Sequence, residues 1–308
     1  MRLRAVLAGL LLGSIPGLAL AGETACRIEN GVVVVPAMAA GVNGQFILAT
    51  GAAQSQIDAT QASEVPILTD LVTGPVVLAG RTFPSVAMSV LPLDARTKRF
   101  VIPISGVLGS DILQGLVVDL EPNPCRLRLS EPGHERRFRA RTTLPVDLRG
   151  GVPFIGASIF DGKTGRRGAF RIDTGSPFPA TLSPAAAKLL TPAGDPPPPK
   201  STAPGTVRSF SVAGAVYQNQ AAGLRADIPP PALGAIGEPI WARFRMRLDY
   251  ARQRLLLAPL NSTRSATSFP SPRGRRRGPH RAAVWEDEGL RCVRVNRNAM
   301  VQDMHETP

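Results

Sequence analysis

Phe170-Arg171-Ile172-Asp173-Thr174-Gly175-Ser176 is the stretch on which the reading of the chain turns. An apolar run ends in an acid, a threonine, a glycine and a serine. A carboxyl at the end of a buried strand is costly unless it is hydrogen-bonded or put to use. Thr174 can fix the local backbone through its hydroxyl, Gly175 permits a tight loop and the close approach of another backbone, and Ser176 can hydrogen-bond the carboxyl. Taken alone, four residues of this kind are equally well an Asx-type turn in which Asp173 satisfies nearby amides.

The stretch is not alone, because the events around it occur twice. The β-branched run Val32-Val33-Val34-Val35 and the run Gly44 to Leu48 read as strands, the second ending at Ala49-Thr50-Gly51-Ala52. A hairpin near Gly80 follows, then Ile104 to Leu113, which passes from an apolar strand through Gly109 into a short helical segment. A closing hairpin pairs Val117–Leu120 with Arg126–Leu129. In the second half the loop at Asp173 is followed by a hairpin near Gly214, by Ala235-Ile236-Gly237-Glu238-Pro239-Ile240-Trp241, and by Arg247–Tyr250 with Arg254–Leu257. The spacing matches: positions 49 and 109 are 60 apart and 173 and 237 are 64 apart, while 109 to 129 and 237 to 257 both span 20. A repeat of this length, with matching order and type, predicts two similar domains.

With both halves in view, the chain resembles the retropepsin-like aspartic peptidases in their two-lobed form. The resemblance rests on Asp173-Thr174-Gly175-Ser176 with Ala235-Ile236-Gly237, on Ala49-Thr50-Gly51 with Val107-Leu108-Gly109, and on the closing pattern Phe244 to Tyr250. It covers residues 30 to 258. It implies an all-β fold with two closed β-barrel lobes and few short helices. It also implies peptide-bond hydrolysis by two carboxyls that share one proton, with Asp173 as a catalytic residue and Tyr217, in the second lobe's hairpin, as a candidate flap residue, the alternative for Tyr217 being ordinary strand packing. The sequence departs from the pattern at one decisive place. The position equivalent to the other acid is Ala49, which neither accepts nor donates a proton. Gln54 and Ser55 are not basic, and Asp58 lies well past the loop. A coupled acid pair works because two carboxyls about 3 Å apart cannot both ionise. Half a pair loses more than half its effect. Two readings follow: an aspartic endopeptidase acting through Asp173, and a catalytically impaired pseudopeptidase that binds peptide or protein between the lobes. A purely structural role is the remaining option.

The rest of the chain frames this choice. Residues 1–21 have a charged start, an apolar stretch interrupted by Gly13 and Pro16, and a small-x-small site at Ala19-Leu20-Ala21. They read as an export leader, the alternative being an uncleaved anchor. The expected location is periplasmic or secreted, with no membrane span once the leader is removed. In an oxidising compartment Cys26 and Cys125 can pair. The expected domains are 22–130, a first lobe with the degenerate loop; 131–141, a charged linker; 142–260, a second lobe with the intact loop; and 261–308, a basic and disordered tail. Pro196-Pro197-Pro198-Pro199 predicts an extended surface loop. The net charge of +13 comes mainly from arginine without interleaved stacking aromatics, which argues against specific nucleic-acid binding. Cysteine and histidine spacing fits no metal site, and no phosphate or dinucleotide glycine pattern calls for a cofactor. The partner expected is a peptide or protein, and the state expected is a monomer, with a dimer that brings two Asp173 together as the alternative.

Overall fold

The structure is a computed structural model that describes residues 21–65, 67, 69–160, 165–190 and 205–260. The leader as far as residue 20, the polyproline run and the tail from 261 lie outside the described residues. All described residues belong to one compact unit.

The first half contains β1 (Ala21–Ala25), β2 (Arg27–Glu29), β3 (Val32–Ala39), β4 (Val42–Leu48), β5 (Gln56–Asp58), β6 (Leu71–Leu78), β7 (Arg81–Leu91), β8 (Ile104–Leu108), β9 (Val117–Pro122) and β10 (Cys125–Ser130). The second contains β11 (Thr142–Pro145), β12 (Asp147–Arg149), β13 (Val152–Phe160), β14 (Gly165–Asp173), β15 (Ala180–Leu182), β16 (Gly205–Val212), β17 (Ala215–Leu224), β18 (Gly234–Gly237), β19 (Phe244–Asp249) and β20 (Arg254–Pro259). Each strand of the first half has its counterpart ten places on. Residues 131–141 carry neither strand nor helix.

Each half closes into a barrel. The order β3-β4-β8-β5-β7-β6 returns to β3 through a β3–β6 pairing, and β13-β14-β18-β15-β17-β16 returns to β13 in the same way. In both, the strand that runs into the loop is parallel to the strand that runs into Gly109 or Gly237: Leu48 pairs with Leu108, and Asp173 with Gly237. The remaining strands form one sheet shared by the lobes, ordered β1-β10-β9-β19-β20-β11 and symmetric about the β9–β19 junction. Across that junction Arg247 pairs in register with Asp119 and grips it with two hydrogen bonds. The fold is therefore all-β and two-lobed, as the resemblance implied.

Local chemistry explains the elements. Val32 to Val35 are all buried because β3 packs on both faces, Val33 and Val35 in the main core and Val32 and Val34 in a cluster with Ile47, Ala49 and Leu93. A strand covered on both sides reads as a continuous apolar run rather than an alternation. The β6–β7 and β16–β17 hairpins turn through Ala79-Gly80 and Ala213-Gly214, with φ positive at both residues of each pair. This is the handedness that two-residue hairpin turns need, and the glycine supplies it without strain. Helices are short: α1 (Ala59–Ala62), α2 (Asp94–Thr97), α3 (Pro184–Leu190) and α4 (Glu238–Trp241), with a 3-10 turn at Ser110–Ile112. Asp58 accepts from the amides of Thr60, Gln61 and Leu93, so it is the N-cap of α1 and takes no part in the loops. None of the described helices is long and apolar enough to cross a membrane. Cys26 and Cys125 are joined in a disulfide that ties the start of the first lobe to β10.

Candidate functional site

The loops Ala49-Thr50-Gly51 and Asp173-Thr174-Gly175 meet where the lobes touch. Their backbones are copies of one another. Ala52 N donates to Ala49 O and Ser176 N to Asp173 O. Ser110 N donates to Ala52 O, and Glu238 N to Ser176 O. Between the loops the hydrogen bonds are reciprocal. Thr50 N donates to Thr174 Oγ1 and Thr174 N to Thr50 Oγ1, both at 3.2 Å. The hydroxyls pass the bond on across the interface, Thr50 to Ile172 O at 2.9 Å and Thr174 to Leu48 O at 2.6 Å. Both threonines are fully buried, so these bonds have no competing water.

The glycines are required by this approach. A β-carbon on Gly51 would stand 2.5 Å from Asp173 Cγ, and one on Gly175 would stand 2.5 Å from Ala49 Cβ. The same two contacts show that Ala49 occupies, by the internal two-fold symmetry, the position that Asp173 occupies in the second loop. Where the second acid would stand there is a buried methyl.

Asp173 is 1% exposed and every partner of its carboxyl can be named. Gly175 N donates to Oδ1 at 2.9 Å. Arg225 donates to Oδ2 at 3.0 Å, and Arg171 lies 4.0 Å from the same oxygen. Both arginines also hold Asp227: Arg225 through Nε at 2.8 Å and a second nitrogen at 2.5 Å, Arg171 at 3.2 Å. Burial pushes the Asp227 carboxyl up, but the Arg225 hydrogen bond and charge, with help from Arg171, overcome it and lower the pKa to about 2. Burial also works against the Arg225 charge, yet its bond to Asp227 and the charge of Asp173 hold the guanidinium above its ordinary value.

Two more groups complete the surroundings. Glu238 opens α4 one residue after Gly237. It is fully buried, and neither carboxyl oxygen has a hydrogen-bond partner. Burial first, and the charge of Asp173 second, push its pKa well above the usual carboxyl range. Its counterpart in the first lobe is Ser110, whose hydroxyl is satisfied by Thr50 O at 2.6 Å. Arg96, in α2 of the first lobe, lies within electrostatic range of Asp173, Asp227, Arg171 and Arg225.

The two loops meet, and of the residues weighed around them Ser176 is placed otherwise than the sequence suggested. The Ser176 hydroxyl pairs with Thr181 Oγ1 at 3.2 Å rather than with the Asp173 carboxyl, because Gly175 N and Arg225 already engage both carboxyl oxygens. Tyr217, considered as a flap residue, is buried in the second barrel. Its ring stacks on Phe210 with centroids 5.0 Å apart and lies beneath the Arg243 guanidinium, so its role is strand packing. Trp241 is a core residue whose indole N–H donates to Ile236 O. Asp111 accepts from both the amide and the hydroxyl of Ser55, and that hydroxyl accepts from Gly109 N, which fixes the strand end behind the first loop. Arg96, Arg171, Arg225, Asp227 and Glu238 were not singled out. The one signal on offer was Arg171 itself, a charge inside an otherwise apolar strand that had to meet an acid.

Chemically, the site presents one carboxyl already engaged by an arginine. It has no second carboxyl at the symmetry-related position to share a proton with, and a coupled pair is what lets two acids divide the roles of base and acid.

No family model matches the chain, and no curated protein matches it. Among solved structures, an aspartic proteinase from Irpex lacteus aligns with 81% of this chain and all of its own length, at 16% identity and a TM-score of 0.47. Basic 7S globulin from soybean aligns over 79% of this chain and 96% of its own, at 12% identity and a TM-score of 0.44.

Proposed function

We propose that this is an exported, two-lobed protein of the aspartic-peptidase type that binds peptide between its lobes without cleaving it. The observation that carries the reading is the pairing at the loops: Ala49 faces Gly175 where an acid would be needed, and Arg225 engages Oδ2 of Asp173. A positioned acid or base contributes about 10² to 10⁴ in rate, and removing one member of a cooperating pair removes more than its share. Export is supported by the leader sequence and by the Cys26–Cys125 disulfide, a bond that persists in oxidising compartments.

Hydrolysis through Asp173 is the second reading. It is favoured by the intact threonine exchange, which holds the loops in a geometry that half a catalytic pair would not by itself demand. Joining two chains through their Asp173 residues would require the four buried inter-loop bonds to be broken, so a monomer fits the proposal better. A broad peptide library at acid pH separates the two readings. Saturable binding without products supports the first, and cleavage that disappears in Asp173→Asn supports the second.

A further inference from the structure

The connections that follow β7 and β17 are symmetry mates. Leu93 packs in the cluster of Val32, Val34 and Ala49, and Ile228 packs in the matching cluster of Val152, Phe154 and Ala235. One connection brings Arg96 to the Asp173 region from the first lobe. The other brings Arg225 and Asp227 from the second. With Arg171 from β14, three cations meet two anions, Asp173 and Asp227, which leaves one positive charge over.

The hydrogen-bonding balance points the same way. Among the described residues the Arg96 side chain makes no hydrogen bond or ion pair, and the buried Nε of Arg171 has no partner. Burial weakens the Arg96 charge, the neighbouring arginines weaken it further, and only Asp173 and Asp227 support it. A partly buried guanidinium with five donors and no acceptor is costly unless an anion joins it. The edge of the cluster is open to solvent, since the Arg225 side chain is 30% and that of Asp227 53% exposed.

We infer that Arg96 and Arg225 together bind one carboxylate of the peptide ligand beside Asp173. This rests on the peptide-binding reading above and names its ligand class. A planar carboxylate matches the open Arg96 fork with two parallel bonds, while Arg225, already bonded to Asp227 and Asp173, adds its charge, and the ligand brings the single negative charge the cluster lacks. A phosphate would bring up to two charges against a buried aspartate. The carboxylate can be a peptide C-terminus or an Asp or Glu side chain.

The test is calorimetric titration of the purified full chain with short peptides of one neutral sequence in three forms: free C-terminus, amidated with one internal Glu, and amidated without an acid. Propionate alone is the fourth probe. A carboxylate-bearing form is expected to bind about tenfold tighter than the acid-free form, as charge-assisted bonds would give. Whichever of the two wins identifies the source of the carboxylate. Arg96→Gln should erase the preference and Arg96→Lys should restore part of it, with thermal unfolding confirming that both variants are folded. Equal affinity for all three peptides, or a preference unchanged in Arg96→Gln, overturns the arginine assignment and leaves peptide binding standing. Propionate binding that depends on Arg96, with no peptide bound, supports the carboxylate site and overturns peptide binding. No binding of any probe overturns both.

Discussion

The two loops are built alike and furnished differently. In the first, Ala49 is capped by the fold and has nothing to offer chemically, while its neighbour Ser110 is fully hydrogen-bonded. In the second, Asp173 carries a carboxyl held by one amide and one arginine, and its neighbour Glu238 is a buried acid without a partner. Backbone geometry and the threonine exchange are shared by both, so those features belong to the joining of the lobes. Most of the charged groups stand on the second lobe, in Asp173, Arg171, Arg225, Asp227 and Glu238, and the first lobe adds Arg96.

This comparison can be broken in several places. The largest effect should come from the disulfide, a device that among the described residues only the first lobe has. Replacing Cys26 and Cys125 by alanine releases a loop with a sequence separation of 99 and should cost about 2–5 kcal/mol in chemical denaturation. An unchanged midpoint would mean that β1 and β10 hold the first lobe without it.

Next come Thr50→Val and Thr174→Val. Each leaves the facing threonine amide buried without an acceptor, at about 1–3 kcal/mol. The two costs should be alike. A large difference would show that the loops are not energetic equivalents despite their matching bonds.

Glu238 gives a pH signature. Its folded pKa is raised above 4.5, so between 4.5 and that higher value the folded state holds a proton that the unfolded state has lost. Stability contributed by this group is complete below about pH 4.5 and is lost as pH rises towards the folded pKa, with a slope of at most about 1.4 kcal/mol per pH unit. Glu238→Gln should flatten that slope in melts taken from pH 4 to 8. Asp227 acts in the opposite direction: its pKa falls from 3.8 to about 2, so its contribution is present above pH 4 and is lost between about 4 and 2. Parallel slopes in the wild type and Glu238→Gln would show that Glu238 is not the group responsible.

The smallest effect is expected for Arg225→Gln. Its ion pairs are partly solvated and Arg171 remains near Asp173, so a loss of about 1 kcal/mol is expected from equilibrium unfolding. A loss several times larger would make Arg225 a structural keystone of the second lobe.

The duplication was legible in the sequence because strands, glycines and hairpin turns leave local marks that recur at fixed spacing. The missing acid was legible because the repeat located its position at Ala49. The arginine cluster was not legible. Arg96 sits in a single-turn helix and Arg225 on an irregular connection, 129 positions apart, and only the meeting of the two lobes brings them near one acid. For Tyr217 a place in a hairpin left flap and packing roles open, and strand alternation, which turns it inward onto Phe210, decides for packing. Ser176 was given the carboxyl because the two are close in sequence, whereas its hydroxyl pairs with Thr181 and an arginine 52 residues away bonds the carboxyl.

The central claim is that Asp173 without a partner acid, and with Arg225 upon it, binds peptide but does not cut it. The most direct measurement incubates the purified protein with a broad peptide library from pH 3 to 6 and reads both bound peptide and products by mass spectrometry. The account predicts peptides retained on the protein, retained also by Asp173→Asn, with no products above the uncatalysed background. Products that accumulate with the wild type and vanish with Asp173→Asn would contradict it.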